Sequence, residues 1–160
     1  MKEKSQPEFF GTTHLFNRHI ENSMYTHEVQ IRVRYGETDQ MGYLYYGNYA
    51  EYFEVGRVEL IRSLGMSYKD LEDEHGIWLP VVSLEMRFVR PAYYDDLLTV
   101  RSTLREIPDD HITFHVEIMN EKRKLVNSGR VRLCFFDAKA KKVVQAPEYL
   151  LEKIRPFFNP

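Results

Sequence analysis

The first clear periodic signal starts at His27, where Val29, Ile31, Val33 and Tyr35 alternate with Glu28, Gln30, Arg32 and Arg34. A period of two with one apolar side predicts a strand with one buried face. Gly36 breaks the pattern, and Gly36 to Gly47 reads as loop. The period then changes. Tyr49, Tyr52, Phe53, Gly56, Leu60 and Leu64 recur at three and four, the apolar stripe of an amphipathic helix. Asn48 is the expected N-cap, with Glu51 at the N3 place of a capping box. Gly56 in the stripe costs about 1 kcal/mol of helix propensity. Its presence predicts packing against a sheet so close that no side chain fits. Gly65 is the expected C′ residue.

Alternation returns downstream. Ser67 to His75 allows another turn of helix, starting near Ser67 or Asp70. Trp78 to Arg90 places Val82, Leu84, Met86 and Phe88 on one face, and Pro91 stops it. Leu98, Val100 and Leu104 mark a second strand, and Ile112, Phe114, Val116 and Ile118 a third. Leu125 to Phe136 is apolar on parts of both faces, as in the middle of a sheet or at a subunit contact. A short strand at Val143–Val144 and a last helix from Pro147 through Ile154 complete the pattern. One long helix followed by strands joined through tight turns is an α+β arrangement, an antiparallel sheet packed on a helix. Residues 27–160 are expected to form one domain. Met1 to Thr26 shows no sustained period and reads as an N-terminal extension, either a poorly ordered tail or a short helix docked by its aromatics.

Composition narrows the function classes. A length of 160 residues suffices for a real core, and a formal net charge of −2 gives no case for nucleic acid. No apolar run approaches the roughly 20 residues that span a bilayer, and no secretory signal pattern is visible. The single cysteine, Cys134, excludes an internal disulfide and fits a reducing compartment, so the expected location is cytoplasmic.

Several chemistries drop out at the level of motifs. There is no G-x-S-x-G, no phosphate-binding G-x-x-x-x-G-K-[ST] and no G-x-G-x-x-G. His111 and His115 would share a metal face on a helix, but in a strand they lie about 13 Å apart at about 3.3 Å per residue. No metal and no cofactor are expected. Cys134 reads as a small buried residue.

Asp39 stands out because its loop leads directly into a helix start. Unpaired N–H groups and the positive dipole end favour negative charge there. A thioester or ester carbonyl at Tyr46, Gly47 and Asn48 would be polarised as its oxygen gained charge. A nearby carboxylate could attack the carbonyl carbon or activate a water. Gly47, without a side chain, lets a substrate approach the backbone.

The run D-x-x-G-x-x-Y-Y-G-N-Y from Asp39 to Tyr49, with the YFE that follows, resembles the 4-hydroxybenzoyl-CoA thioesterase-like family of hotdog-fold acyl-CoA thioesterases. FVRPAYYDD (Phe88 to Asp96) and SGRVRLCFFD (Ser128 to Asp137) extend the resemblance over roughly residues 27–145. It implies a five- or six-stranded antiparallel sheet curled around the central helix. It also implies pairing of sheets in a homodimer or homotetramer, with the site at the dimer contact. Asp39 matches the family's catalytic carboxylate, as nucleophile or base. Tyr46 matches the residue whose backbone N–H polarises the thioester carbonyl, Gly47 its neighbour facing the acyl group, and Asn48 the family's Asn. Many relatives carry His at the Tyr46 position, and the 4-hydroxybenzoyl-type branch has Pro where this chain has Gly47.

Glu54 lies eight residues beyond Tyr46, where another hotdog branch supplies a catalytic Glu. It is a second candidate carboxylate, against an ordinary role as a solvated or ion-paired residue with Arg57 or Arg62. Coenzyme A would need a basic rim; Arg90, Lys122, Arg123, Lys124 and Lys139 to Lys142 are available, and Arg90 is the best single candidate. The expected activity is acyl-CoA hydrolysis, with an acyl-carrier-protein thioester as the alternative substrate. A non-catalytic acyl-thioester binder is the alternative of another class, and Asp39 argues against it. A dehydratase is disfavoured because the loop-helix motif holds no His.

Overall fold

A computed structural model of the chain describes residues 23–158; residues 1–22 and 159–160 lie outside the described residues, and with them most of the expected N-terminal extension. The elements run β1 (Tyr25–Arg32), α1 (Tyr49–Ser63), α2 (Tyr68–Asp73), β2 (Ile77–Trp78), β3 (Val81–Phe88), β4 (Leu97–Leu104), β5 (His111–Met119), β6 (Leu125–Cys134), β7 (Phe136–Asp137), β8 (Lys142–Val143) and α3 (Glu148–Ile154). Strand β1 opens at Tyr25, two residues ahead of the alternation that begins at His27.

Five strands form one antiparallel sheet in the order β1-β4-β5-β6-β3, and β2, β7 and β8 form a small second sheet. The large sheet wraps α1. Tyr49, Tyr52, Phe53, Leu60 and Ile61 of α1 are buried against Leu98, Val100, Ile112, Phe114, Val116, Ile118 and Val131 of the sheet. Alternation on β4 and β5 sends the other residues to the outer face, where Arg101 pairs with Glu28 and Glu117. Gly56 behaves as its place in the stripe requires. A Cβ there would lie 2.6 Å from Ser102 Oγ and 2.7 Å from Val100 Cγ1, so the helix rests directly on β4.

Three local expectations change. The single strand expected over Trp78 to Arg90 breaks ahead of Val81. The Ile77–Trp78 piece pairs with β7 in the small sheet, while Val81–Phe88 pairs with β6 in the large one. Likewise the Leu125–Phe136 strand leaves the large sheet after Cys134, and Phe136 joins the small one. Its two-sided apolar pattern reflects the interior place of β6 between β5 and β3. The capping box at Asn48 is absent. Asn48 has helical φ and ψ (−74° and −17°) with no side-chain cap bond, because a 3₁₀ turn over Tyr46–Asn48 already winds into α1. The cap at Ser67 is present: its side chain accepts from the Asp70 N–H. Gly65 takes φ of +82° just past the end of α1.

Strand β3 is a free edge. All its residues but Met86 are exposed, including inner-face residues that α1 does not cover, such as Leu84 at 41% and Phe88 at 54%.

Candidate active site

The loop from β1 to α1 is shaped by its own backbone. Asp39 N–H donates to Tyr43 O at 2.8 Å and Gly42 N–H to Asp39 O at 2.9 Å, closing a tight turn. Gly42 sits at φ +80°, a conformation that a residue with a Cβ adopts at a cost. The turn fixes the carboxylate: Asp39 Oδ1 accepts from the N–H groups of Met41 (2.9 Å) and Tyr43 (3.2 Å). Its second oxygen has no hydrogen-bond partner among the described residues. One oxygen is therefore held by the backbone and the other is available for chemistry.

Opposite stands the helix start. Asn48 N–H bonds to Tyr45 O, while the amides of Tyr46 and Gly47 have no main-chain partner among the described residues. They are the orphan donors that every helix N-terminus presents. Between carboxylate and helix start lies a cleft of about 320 Å³, lined by Asp39, Met41, Tyr43, Tyr46, Tyr49, Phe88 and Arg90 among others. Aromatic rings build its walls. Phe88 meets Tyr49 at 5.4 Å and Tyr46 at 6.4 Å, both edge to face, and Tyr43 meets Tyr93 at 5.5 Å. Burial pushes the Tyr49 phenol up to about 12, with the charge of Asp96 adding to it, so this ring stays neutral at ordinary pH.

Of the residues singled out from the sequence, Asp39, Tyr46 and Arg90 line one cleft. Gly47 lies beside it, with the Tyr45 ring where its side chain would project; an added Cβ would meet that ring at 2.8 Å. Asn48 has a different task from the expected cap: its Nδ2 donates to Glu37 O at 2.8 Å. Arg90 Nη1 donates to Leu125 O at 2.8 Å. Glu54 is exposed on α1 and is not among the residues lining this cleft. Its two expected partners are engaged elsewhere, Arg57 over the Tyr68 ring and Arg62 with Glu59. Cys134 is buried, and His111 and His115 sit on strand β5 outside the cleft.

Sequence reasoning missed three residues, one in the cleft wall and two that are not among its lining. Phe88, read as a sheet residue, forms its wall. Asn127 pairs across the strands with Phe88 and Ile118 and shares their inner face. It is 0% exposed, and neither end of its amide has a partner among the described residues. Glu37 is 7% exposed and fully bonded. A buried Glu carries no signature in sequence, because Glu in a loop is ordinarily solvated. For Asn127, a polar residue on an otherwise apolar strand face was the one available sign.

Known proteins resemble this chain in sequence and fold. Residues 33–154 match the family model of the thioesterase-like superfamily. The putative acyl-CoA thioesterase YneP of Bacillus subtilis is 34% identical over 102 residues, 64% of this chain and 73% of that protein. The acyl-CoA thioesterase YbgC of Haemophilus influenzae is 29% identical over 118 residues, covering 74% and 86%. The crystal structure of a DHNA-CoA thioesterase from Staphylococcus aureus superposes with a TM-score of 0.75 at 30% identity, covering 82% of this chain and 88% of that one. With a curled antiparallel sheet around one long helix and a family match over most of its length, the chain belongs to the thioesterase-like superfamily and has the hotdog fold.

Proposed function

We propose that this protein is an acyl-CoA thioesterase in which Asp39 supplies the attacking or water-activating carboxylate and the Tyr46 N–H polarises the carbonyl. What supports the assignment is that Asp39, whose second carboxylate oxygen is unbonded among the described residues, and Tyr46, whose amide has no main-chain partner among them, line one aromatic cleft. The thioester carbonyl oxygen accepts from that amide, joined by Gly47, and the positive helix end stabilises its growing charge. In one route the Asp39 oxygen bonds to the carbonyl carbon, the C–S bond breaks and CoA leaves as thiolate. Water then cleaves the resulting anhydride, restoring the carboxylate. In the other route Asp39 takes a proton from a water that attacks the same carbon; the C–S bond breaks, and CoA leaves as the thiol with that proton while the free acid remains. Both use only a carboxylate, amides and water, so the reaction as drawn calls for no metal or cofactor.

The acyl group fits the aromatic walls, and Arg90 at the rim suits a CoA phosphate. The alternative substrate is an acyl-carrier-protein thioester, which presents the same carbonyl. No helix among the described residues is long and apolar enough to cross a membrane; with a single buried cysteine, the reading is a cytoplasmic enzyme.

The working unit is read as a homodimer joined through β3. An eight-residue edge strand with exposed Val81, Val82, Leu84 and Phe88 is what a second copy would cover, extending the sheet across the contact. Phe88 and Val89 also line the cleft, so such a contact would bring the partner subunit to the site. Analytical ultracentrifugation of the protein and of Leu84→Lys tests this; a monomeric parent overturns the dimer.

The test of activity is a panel of acyl-CoA and acyl-carrier-protein thioesters assayed by release of free thiol, with Asp39→Asn beside the parent. The expected result is turnover on at least one CoA thioester, reduced by at least about 100-fold in the variant. No turnover on any thioester overturns the assignment, and unchanged turnover in Asp39→Asn removes Asp39 from the reaction.

A further inference from the structure

Asp39 and the Tyr46 amide come from two pieces of chain, a loop and a helix start, whose relative placement sets the chemistry. Both pieces meet at Glu37. This side chain is one of the few buried charged groups described, and burying a carboxylate is costly unless it is fully bonded. Glu37 is. Oε1 accepts from Arg34 Nη2 at 2.8 Å, and Oε2 accepts from Arg34 N–H at 2.8 Å and from the Tyr52 hydroxyl at 2.7 Å. Its main-chain oxygen accepts from Asn48 Nδ2 at 2.8 Å and from Tyr45 N–H at 2.9 Å. Asn48 and Tyr52 are four apart on the winding into α1, hence on one face about one turn apart. The helix start is thereby held at two heights, which fixes both its distance and its rotation against the loop. Asp39 follows two residues on, after Thr38, which bridges to Leu44 at the far side of the turn.

Packing alone does not call for a charge here. An apolar residue would attach a loop to a helix without the desolvation cost of an ion. What an apolar residue lacks is direction. A carboxylate with three donors holds its neighbours at defined angles, the property needed where a nucleophile and a carbonyl-polarising amide must stay in register.

We propose that Glu37 is a positioning residue of the hydrolytic reaction, its side chain and main-chain carbonyl holding the Asp39 loop in register with the start of α1. The inference rests on the reading of Asp39 as the reacting carboxylate. Glu37 lines a separate surface depression with Arg32, Arg34, Glu51 and Tyr52, and is not among the residues lining the reaction cleft. It acts through Asp39 and Tyr46 and does not touch substrate.

The experiment is a kinetic double-mutant cycle on the full-length chain. Glu37→Gln keeps the shape and removes the charge; Tyr52→Phe removes one donor and leaves the Arg34 pairing. A shift of about 1 Å between reacting groups costs on the order of 100-fold in rate. Glu37→Gln is therefore expected to lower kcat by about 10- to 100-fold with KM within about threefold, at a temperature where circular dichroism shows it folded. Tyr52→Phe is expected to lower kcat by about 3- to 10-fold and carries the test if Glu37→Gln fails to fold. Combined with Asp39→Asn, either change should add less than about threefold to the loss from Asp39→Asn alone. The inference is overturned if kcat stays within twofold of the parent in both single variants, or if their losses multiply fully on Asp39→Asn. Full activity in Asp39→Asn itself would remove the parent reading, an outcome distinct from both.

Discussion

Replacing Gly56 by Ala tests whether contact between α1 and β4 sets the position of the helix. Two terms oppose each other. Alanine gains about 1 kcal/mol of helix propensity over glycine. Against that, its methyl would lie 2.6 Å from Ser102 Oγ and 2.7 Å from Val100 Cγ1, about an ångström inside ordinary carbon contact. Neither neighbour is the end of a flexible chain. Val100 is β-branched, fully buried and paired to both β1 and β5, so its methyl has few places to turn. Overpacking of this kind costs about 2–3 kcal/mol. The net expectation is a loss of about 1–2 kcal/mol, or roughly 3–8 °C in thermal midpoint for a domain of this size. Urea denaturation at fixed protomer concentration measures it. Ser102 sharpens the test, because its Oγ is buried without a hydrogen-bond partner and Ser102→Ala should cost little. In a Ser102→Ala background one of the two clashes is gone, and the Gly56→Ala loss should fall below about 1 kcal/mol. Gly56→Ala as stable as the parent, or a loss unchanged by Ser102→Ala, would refute the reasoning.

Two further outcomes follow from buried polar groups. Burial pushes the Glu37 carboxyl up, but the bonds from Arg34 and Tyr52 outweigh it and hold it below its ordinary 4.5. A depressed folded value means its stabilisation is complete above the unfolded pKa and lost as pH falls through the folded one. Stability measured from pH 7 downward should thus fall in acid, and Glu37→Gln should flatten that fall; an identical pH profile in the variant would count against the linkage. Asn127→Leu removes a fully buried amide with two unmet bonds at nearly constant volume. A gain of about 1 kcal/mol is expected in urea denaturation, whereas a loss of similar size would mean that the amide has a partner, such as bound water.

Much of the architecture could be read along the chain because the relevant forces are local. The two-residue period of β1, β4 and β5 and the three-four period of α1 are written in consecutive positions, and each names its buried face. Gly56 announced a close helix-sheet contact for the same reason: the cost of glycine in a helix is local, while the gain that offsets it has to be tertiary. That Asp39 and Tyr46 line one cleft could be expected because a loop carboxylate and a helix start lie seven residues apart in one segment.

What the chain in one dimension left undecided depends on which distant segments meet. Only the folded sheet puts β3 at an edge, and there its alternating pattern ceases to mean a buried face. Only the paths of β2 and β7 split two apparently continuous strands, since strand propensity does not say which sheet a residue joins. Asn48 has the residue type of a cap, yet its side chain reaches Glu37, because the 3₁₀ turn moves the helix start ahead of it. Phe88 reaches the cleft from 42 residues beyond Tyr46, and Glu37 is buried because Tyr52 and Arg34 close over it. The loop carboxylate and the helix start are set in one segment by sequence; which distant residues surround them was decided by long-range hydrogen bonds and packing that no local pattern encodes.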